Sequence, residues 1–83
     1  MNQNRYILTL SCPDVRGIVA SVTGFLADNF CFIIESAQFG DASTGQFFLR
    51  IEFCVEQAAP SQDGLKKLFY DKVAQRFAMQ WSI

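Results

Sequence analysis

The chain has 83 residues, 51% of them hydrophobic, and a net charge of −1 from seven basic and eight acidic side chains. This length corresponds to a single domain, and the near-neutral charge provides no electrostatic attraction for nucleic acid or an anionic membrane. No apolar run approaches the ~20 residues of a membrane-spanning helix, and the polar residues 1–5 lack the features of a signal peptide. We therefore expect a cytoplasmic protein that binds neither nucleic acid nor a membrane.

The side chains available for catalysis or metal binding are few. The chain has no histidine and three widely spaced cysteines, which we expect to be reduced and partly buried: Cys12, Cys31 and Cys54. A zinc site of the usual kind needs four nitrogen or sulfur ligands, and most acid–base and nucleophilic schemes use a histidine. The sequence therefore predicts no metal, no cofactor and no catalytic residue in this chain.

Strand and helix patterns alternate in the first half of the chain. Alternation of apolar and polar residues predicts a strand over residues 6–12, which Pro13 ends because it has no N–H to donate. Asp14 is a possible N-cap. An apolar helical stripe begins after Gly17, and we expect the helix to end near Asn29, which tolerates a left-handed conformation. The stripe consists of Ile18, Val19, Val22, Phe25 and Leu26.

Two further strands follow, joined by a hairpin. The second strand is predicted over residues 32–39, and the loop over residues 40–45 has a glycine at each end. The third strand covers residues 46–55, with Phe47 on one face and Phe48 on the other. The inward face of the second strand stays ambiguous between two sets, either Ile33, Ala37 and Phe39 or Ile34, Ser36 and Gln38.

A second helix and a short strand complete the pattern. Pro60 and Ser61 are typical of a helix start, and Asp63 suits the positive end of the helix dipole. Asp63 and Lys67 are spaced for an ion pair. The helical stripe contains Leu65, Leu68, Phe69, Val73 and Phe77, and residues 78–83 alternate as a last strand.

The order β-α-β-β-α-β predicts an α+β fold of the ferredoxin-like type, with a four-stranded antiparallel sheet and both helices on one face. The other sheet face is then open, and it would carry Ile7, Thr9, Ser11, Phe48, Arg50 and Glu52. An RNA-binding sheet displays several aromatic residues among basic ones, whereas here only Phe48 of the third strand points that way and Glu52 repels phosphate. Five phenylalanines are expected in the core: Phe25, Phe47, Phe53, Phe69 and Phe77.

The turn between the first strand and the first helix, residues 12–17, is the other candidate site beside the open sheet face. Its sequence is CPDVRG, and it leads into a helix N-terminus, where free N–H groups favour a carboxylate. Gly17 allows a ligand to approach the backbone closely. The alternative interpretation is a simple helix start capped by Asp14.

Residues 12–20, CPDVRGIVA, resemble the start of an ACT domain, a small regulatory module with this fold. The segments ESAQFGD (35–41) and TGQFFLR (44–50) resemble the N-terminal ACT domain of formyltetrahydrofolate deformylase, and the similarity extends over residues 6–81. That family hydrolyses 10-formyltetrahydrofolate to tetrahydrofolate and formate for purine synthesis. The resemblance implies that residues 1–83 are a non-catalytic domain of a longer enzyme, with the catalytic residues in a C-terminal formyltransferase-like domain.

The resemblance also implies partners. ACT domains commonly associate in pairs, as homodimers or higher homo-oligomers, and many bind an amino acid at the interface; here glycine or methionine is expected. Two family features differ: Arg16 stands where a proline usually precedes the glycine, and Phe30 and Phe32 replace the glycine and asparagine that often introduce the second strand. A ligand-free dimerisation or domain-docking module is the alternative. The implied effector-binding positions are Cys12, Asp14, Arg16, Gly17 and, across the dimer, Phe32.

Overall fold

The alternating and helical stripes of the sequence form one antiparallel sheet and two helices in a computed structural model, which describes residues 4–83. The second helix is continuous but contains a π-helical segment between two α-helical ones. The elements are β1 (Arg5–Pro13), α1 (Ile18–Asp28), β2 (Cys31–Asp41), β3 (Gln46–Val55), α2 (Gln62–Phe69), the π-helical segment (Tyr70–Ala74), α3 (Gln75–Phe77) and β4 (Gln80–Ser82).

The sheet has the strand order β2-β3-β1-β4, and all neighbouring strands are antiparallel. β1 pairs with β3 along its whole length, from Arg5 opposite Cys54 to Pro13 opposite Gln46. β4 pairs only with the centre of β1. This topology confirms the ferredoxin-like prediction, and it leaves β2, the longest strand, at a free edge of the sheet.

The core lies between the helices and one face of the sheet. Phe69 is fully buried at its centre, with its ring centroid 5.4 Å from that of Phe25 and 4.9 Å from that of Trp81. Four of the five phenylalanines expected in the core are buried, and the fifth, Phe77, is half-buried against it. The strands contribute Leu8, Leu10, Cys12, Cys31, Phe47, Leu49, Ile51 and Phe53 to this core.

A β-bulge in β2 explains why its inward face was ambiguous. Ile33 lies opposite the buried Phe53, but Ile34 is an extra residue, and the register resumes with Glu35 opposite Glu52. Residues opposite each other share a face, so neither predicted set is correct as a whole. Ile33 of the first set and Ser36 and Gln38 of the second are on the helix side, whereas Ala37 and Phe39 are on the open side.

The helix ends correct two further expectations. α1 ends at Asp28 with Asn29 as its C-cap, close to the expected end, but the left-handed residue is Phe30, with φ of 62°, since Asn29 has φ of −108°. Ser61 caps α2 as predicted, because its Oγ accepts a hydrogen bond from the Gly64 N–H at 3.1 Å. Within residues 4–83, the predicted Asp63–Lys67 ion pair does not form.

The described cysteines are all buried and unpaired with one another, somewhat deeper than expected. Burial raises the pKa of the Cys31 thiol to about 11, with smaller contributions from Glu56 and Cys54. The thiol is therefore protonated at neutral pH and a poor nucleophile or metal ligand. None of the helices formed by the described part of the chain is long and apolar enough to cross a membrane.

Candidate functional site

The turn that links β1 to α1 presents backbone N–H groups without a side-chain acceptor. Gly17 occupies the N-cap position of α1 with φ of 97°, and no side chain caps this helix end. The first turn of α1 carries no acidic residue either. A helix N-terminus with free N–H groups and a positive dipole end can accept a carboxylate ligand, so the backbone of this turn has the chemistry that the sequence predicted.

Asp14 is not the N-cap that the sequence suggested. Its backbone N–H donates to the carbonyl of Gly45 at 2.9 Å, which ties the turn to the β2–β3 hairpin. Its side-chain Oδ2 lies above Gly40, only 2.9 Å from the place where a Cβ at residue 40 would be. Asp14 therefore points toward the end of β2 rather than back to the helix. It is exposed, and its carboxylate can attract a cationic group at this end of the sheet.

The hairpin that supports Asp14 is itself fixed by local hydrogen bonds. The Asp41 carboxylate accepts from the N–H and the hydroxyl of Ser43, at 3.1 and 2.8 Å. The Gly45 N–H donates to the Asp41 carbonyl at 2.8 Å. Hydrogen bonds from the side chains of Ser43 and Thr44 hold the pKa of Asp41 below its ordinary value. These hydrogen bonds therefore hold the hairpin in one conformation beside the adjacent turn.

Cys12 and Arg16 differ in what they can offer to a ligand at the turn. The Cys12 side chain is buried in the core opposite Phe47, so only its backbone borders the turn. Burial, and secondarily the Asp14 carboxylate, raises the pKa of the Cys12 thiol. Arg16 is exposed and forms no ion pair with any residue in the range 4–83. Its guanidinium is therefore free to reach an anionic group.

Phe32 lies at the opposite end of the sheet from the other four predicted residues. It pairs with Cys54 near the start of β2, whereas Gly40, beneath Asp14, is close to the end of that strand. Gly40 follows Phe32 by eight residues along the strand, which corresponds to roughly 25 Å. One chain therefore brings together Cys12, Asp14, Arg16 and Gly17 but not Phe32, which could join them only from a second copy.

Two glycines that the sequence pattern indicated only as turn residues shape this site. Gly40 leaves the space that Asp14 fills, and the Gly45 carbonyl accepts the Asp14 N–H. The local signal, a glycine at each end of a hairpin loop, predicts a turn but not a site. The contact of these glycines with the first turn depends on β1–β3 pairing across more than thirty residues of sequence, from Pro13 to Gln46.

The described residues offer no metal centre. No group of three or more cysteine, aspartate or glutamate side chains within residues 4–83 is arranged to hold an ion. The chemistry available at the turn is therefore that of recognition by backbone N–H groups, one carboxylate and one guanidinium.

Comparison with known proteins supports the resemblance seen in the sequence. No family model matches the chain. It is 42% identical over 81 residues to the formyltetrahydrofolate deformylase of Corynebacterium sp. (strain P-1), covering 98% of this chain and 28% of that protein. It is 41% identical over 83 residues to the enzyme of Bacillus subtilis (strain 168), covering 99% of this chain and 27% of that one.

Solved structures agree with the sequence relatives. The crystal structure of formyltetrahydrofolate deformylase from Burkholderia mallei superposes with a TM-score of 0.85 and 37% identity, over 94% of this chain and 27% of that one. The enzyme from Pseudomonas putida gives a TM-score of 0.86 at 29% identity, over 95% and 28% of the two chains. The present chain thus spans little more than a quarter of its relatives' length. It is homologous, over nearly its whole length, to one ferredoxin-like domain of formyltetrahydrofolate deformylases.

Proposed function

We propose that this chain is the N-terminal regulatory and dimerisation domain, of the ACT type, of a formyltetrahydrofolate deformylase. The observation that supports this most directly is a match over nearly the whole chain to only about a quarter of each relative. The parent enzyme would act in the cytoplasm and hydrolyse 10-formyltetrahydrofolate. Its catalytic residues would lie in a C-terminal formyltransferase-like domain, which would be the partner of this domain within the same chain.

The effector of the domain would be an amino acid, glycine or methionine. The N-terminus of α1 supplies N–H groups without a side-chain acceptor for its carboxylate. Asp14 belongs to the same turn, so its carboxylate would bind the ammonium group, and Arg16 would be a second partner for the carboxylate. The turn would thus recognise both charges of a zwitterion, as an amino-acid sensor requires.

A homodimer would form through the free edge of β2. This strand has eleven residues and only one hydrogen-bonded neighbour in the sheet, β3. An unpaired strand edge is a template for pairing with another chain. Antiparallel pairing of two copies would bring the start of one β2 to the end of the other, so Phe32 of one copy would approach the turn of its partner.

The second candidate function is a dimerisation or domain-docking module without a ligand. Phe30 and Phe32 favour it, because their side chains are 49% and 63% exposed where the ACT pattern has a glycine and a polar asparagine. Two exposed phenylalanines separated by a single residue are suited to an apolar interface. They would take the place of the polar contact that an asparagine gives to an effector.

Titration calorimetry of the chain with glycine and with methionine separates the two functions. The sensor predicts saturable heat with one of them at millimolar concentration or below, and a loss of at least about tenfold in affinity in Asp14→Asn, since a charge-assisted hydrogen bond is removed. Asp63→Asn, an exposed carboxylate on the second helix, should bind like the wild type. Absence of heat with both amino acids would contradict the sensor and leave the docking module.

Sedimentation at several concentrations tests the dimer. Gln38→Lys adds a charge to the free edge and should shift the protein toward a monomer, whereas Lys67→Gln on the second helix should not. A wild-type chain that stays monomeric at about 100 μM, with and without the amino acids, would contradict pairing through β2.

A further inference from the structure

The face of the sheet opposite the helices contains a shallow bowl. Its volume is about 280 Å³. Thr9 and Ala37 lie on either side of Arg50, on the two neighbouring strands. Their small side chains form the floor of the bowl. Phe39 and Phe48 lie opposite each other on one side and rise above this floor as an aromatic wall.

The aromatic wall is accessible. Phe39 is 62% exposed and Phe48 is 43% exposed, and their ring centroids are 6.3 Å apart with an angle of 31° between the rings. The two rings therefore present a broad, nearly continuous apolar surface. A planar ring can stack on such a surface in an offset arrangement.

Arg50 gives the bowl one charge. It forms no ion pair with any residue in the range 4–83. Glu52, two residues along the same strand face, is instead bound by Arg5 at 3.3 Å. Glu35 lies opposite Glu52, on the side of Arg50 away from the phenylalanines. The guanidinium therefore has an aromatic neighbour on one side and an acidic one on the other.

We propose that this bowl binds a small aromatic carboxylate, with its ring on Phe39 and Phe48 and its carboxylate on the Arg50 guanidinium. The planar fork of arginine matches two carboxylate oxygens, and the low polarity of the wall strengthens that pairing. The acidic side of the face orients the ligand, because Glu35 and Glu52 repel its anionic end from any position beyond Arg50. This inference does not depend on the proposed effector site.

The charge arrangement disfavours a second copy of the chain as the occupant. Face-to-face pairing about an axis along the strands would oppose Glu35 and Glu52 to their own copies. An axis across the strands would place them over the partner's aromatic wall. Both arrangements desolvate Glu35, which forms no ion pair within residues 4–83, and this is unfavourable. Nucleic acid fits poorly for the same reason, since one arginine is flanked by two carboxylates.

Titration of the 83-residue chain with 2-naphthoate, followed by amide NMR shifts, tests the site. We expect saturable shifts centred on Thr9, Ala37, Phe39 and Phe48, with a dissociation constant of about 1 mM or below. The neutral 2-naphthamide should bind about tenfold more weakly, and so should the non-planar cyclohexanecarboxylate.

Two variants and a control make the result specific. Arg50→Gln should weaken 2-naphthoate about tenfold and leave 2-naphthamide unchanged, whereas Ala37→Leu should weaken both by filling the floor. Lys67→Gln, which removes a positive charge elsewhere, should change neither. The proposal is overturned if naphthoate gives no saturable shifts, if the shifts avoid the bowl, or if Arg50→Gln binds naphthoate normally. A dimer that Ala37→Leu dissociates would also overturn it, because a second copy would then cover the face.

Discussion

Oδ2 of Asp14 lies 2.9 Å from the position that a Cβ of residue 40 would take, so the absence of a side chain at Gly40 sets the direction of the Asp14 carboxylate. The two residues belong to different elements and are joined only through the pairing of β1, β3 and β2. The contact therefore links the candidate effector turn to the free-edge strand.

Gly40→Ala should move Asp14 with little change in stability. The atom in conflict is the end of an exposed side chain that can rotate away, and an alanine is slightly more favourable than a glycine within a strand. We expect the free energy of unfolding in urea to change by less than about 1 kcal/mol. Amide NMR should show shifts at residues 14–17, and any binding of glycine or methionine should weaken.

A double-mutant cycle isolates the contact between the two residues. Asp14→Ala should remove the NMR shifts that Gly40→Ala produces at residues 15–17, because no carboxylate remains to be displaced. If Gly40→Ala perturbs these residues equally in both backgrounds, the contact does not position the turn.

Gly17 and Gly24 are a matched pair for testing backbone strain. A Cβ would meet no atom within 4 Å at either position, but Gly17 has φ of 97° and Gly24 lies within α1. Gly17→Ala should destabilise the domain by about 1–2 kcal/mol, whereas Gly24→Ala should stabilise it by about 0.5–1 kcal/mol. Urea unfolding measures both, and equal effects of the same sign would contradict the conformational argument.

Asp41 should contribute to stability in a pH-dependent way. Hydrogen bonds from Ser43 and Thr44 lower its pKa in the folded state. A lowered folded pKa adds stability above the unfolded value of about 3.9, and this contribution is lost as the pH falls through the folded pKa. Asp41→Asn should therefore be less stable than the wild type from pH 5 to pH 7, with the difference in melting temperature shrinking below about pH 4.

The control for this pH effect is Asp71→Asn on the exposed face of the second helix, which removes a carboxylate without disturbing the hairpin. Ser43→Ala, which removes a hydrogen-bond donor to Asp41, should reproduce part of the Asp41→Asn profile. A difference in melting temperature that stays constant from pH 3 to pH 7 would contradict the assigned cause.

Much of the fold could be predicted because a half-buried strand shows its two faces directly as alternation. The β3 residues from Phe47 to Phe53 follow that rule, and the structure confirms their sides. The bulge at Ile34 could not be predicted, since apolar residues occupy both faces at the start of β2. The π-helical segment from Tyr70 to Ala74 has no sequence signal either, because one extra residue in a turn leaves the surrounding apolar stripe intact.

The candidate site was predictable only in part. The residue pattern CPDVRG identified the turn, but local sequence suggested that Asp14 caps α1. Tertiary contacts decide otherwise: Gly45 accepts its N–H, and Gly40 makes room for its carboxylate. Partners that are distant in sequence cannot be inferred from one short motif. The bowl around Arg50 could be predicted only in part for a related reason, since the pattern of β2 does not show that Ala37 and Phe39 share the open face with Thr9, Phe48 and Arg50.

Phe30 stores backbone strain at the junction of α1 and β2. Its φ of 62° is unfavourable for a residue with a Cβ, and its side chain is 49% exposed. Phe30→Ala should lose the packing of the ring but keep the strain, whereas Phe30→Gly should lose both. The glycine variant should therefore be more stable than the alanine variant by about 1 kcal/mol. Urea unfolding of the two variants measures this difference directly.

The control is Phe32, in the adjacent strand, where the order should reverse because glycine weakens an extended segment. If alanine and glycine at residue 30 are equally stable, the left-handed conformation carries no strain and the exposed ring is held there by packing alone.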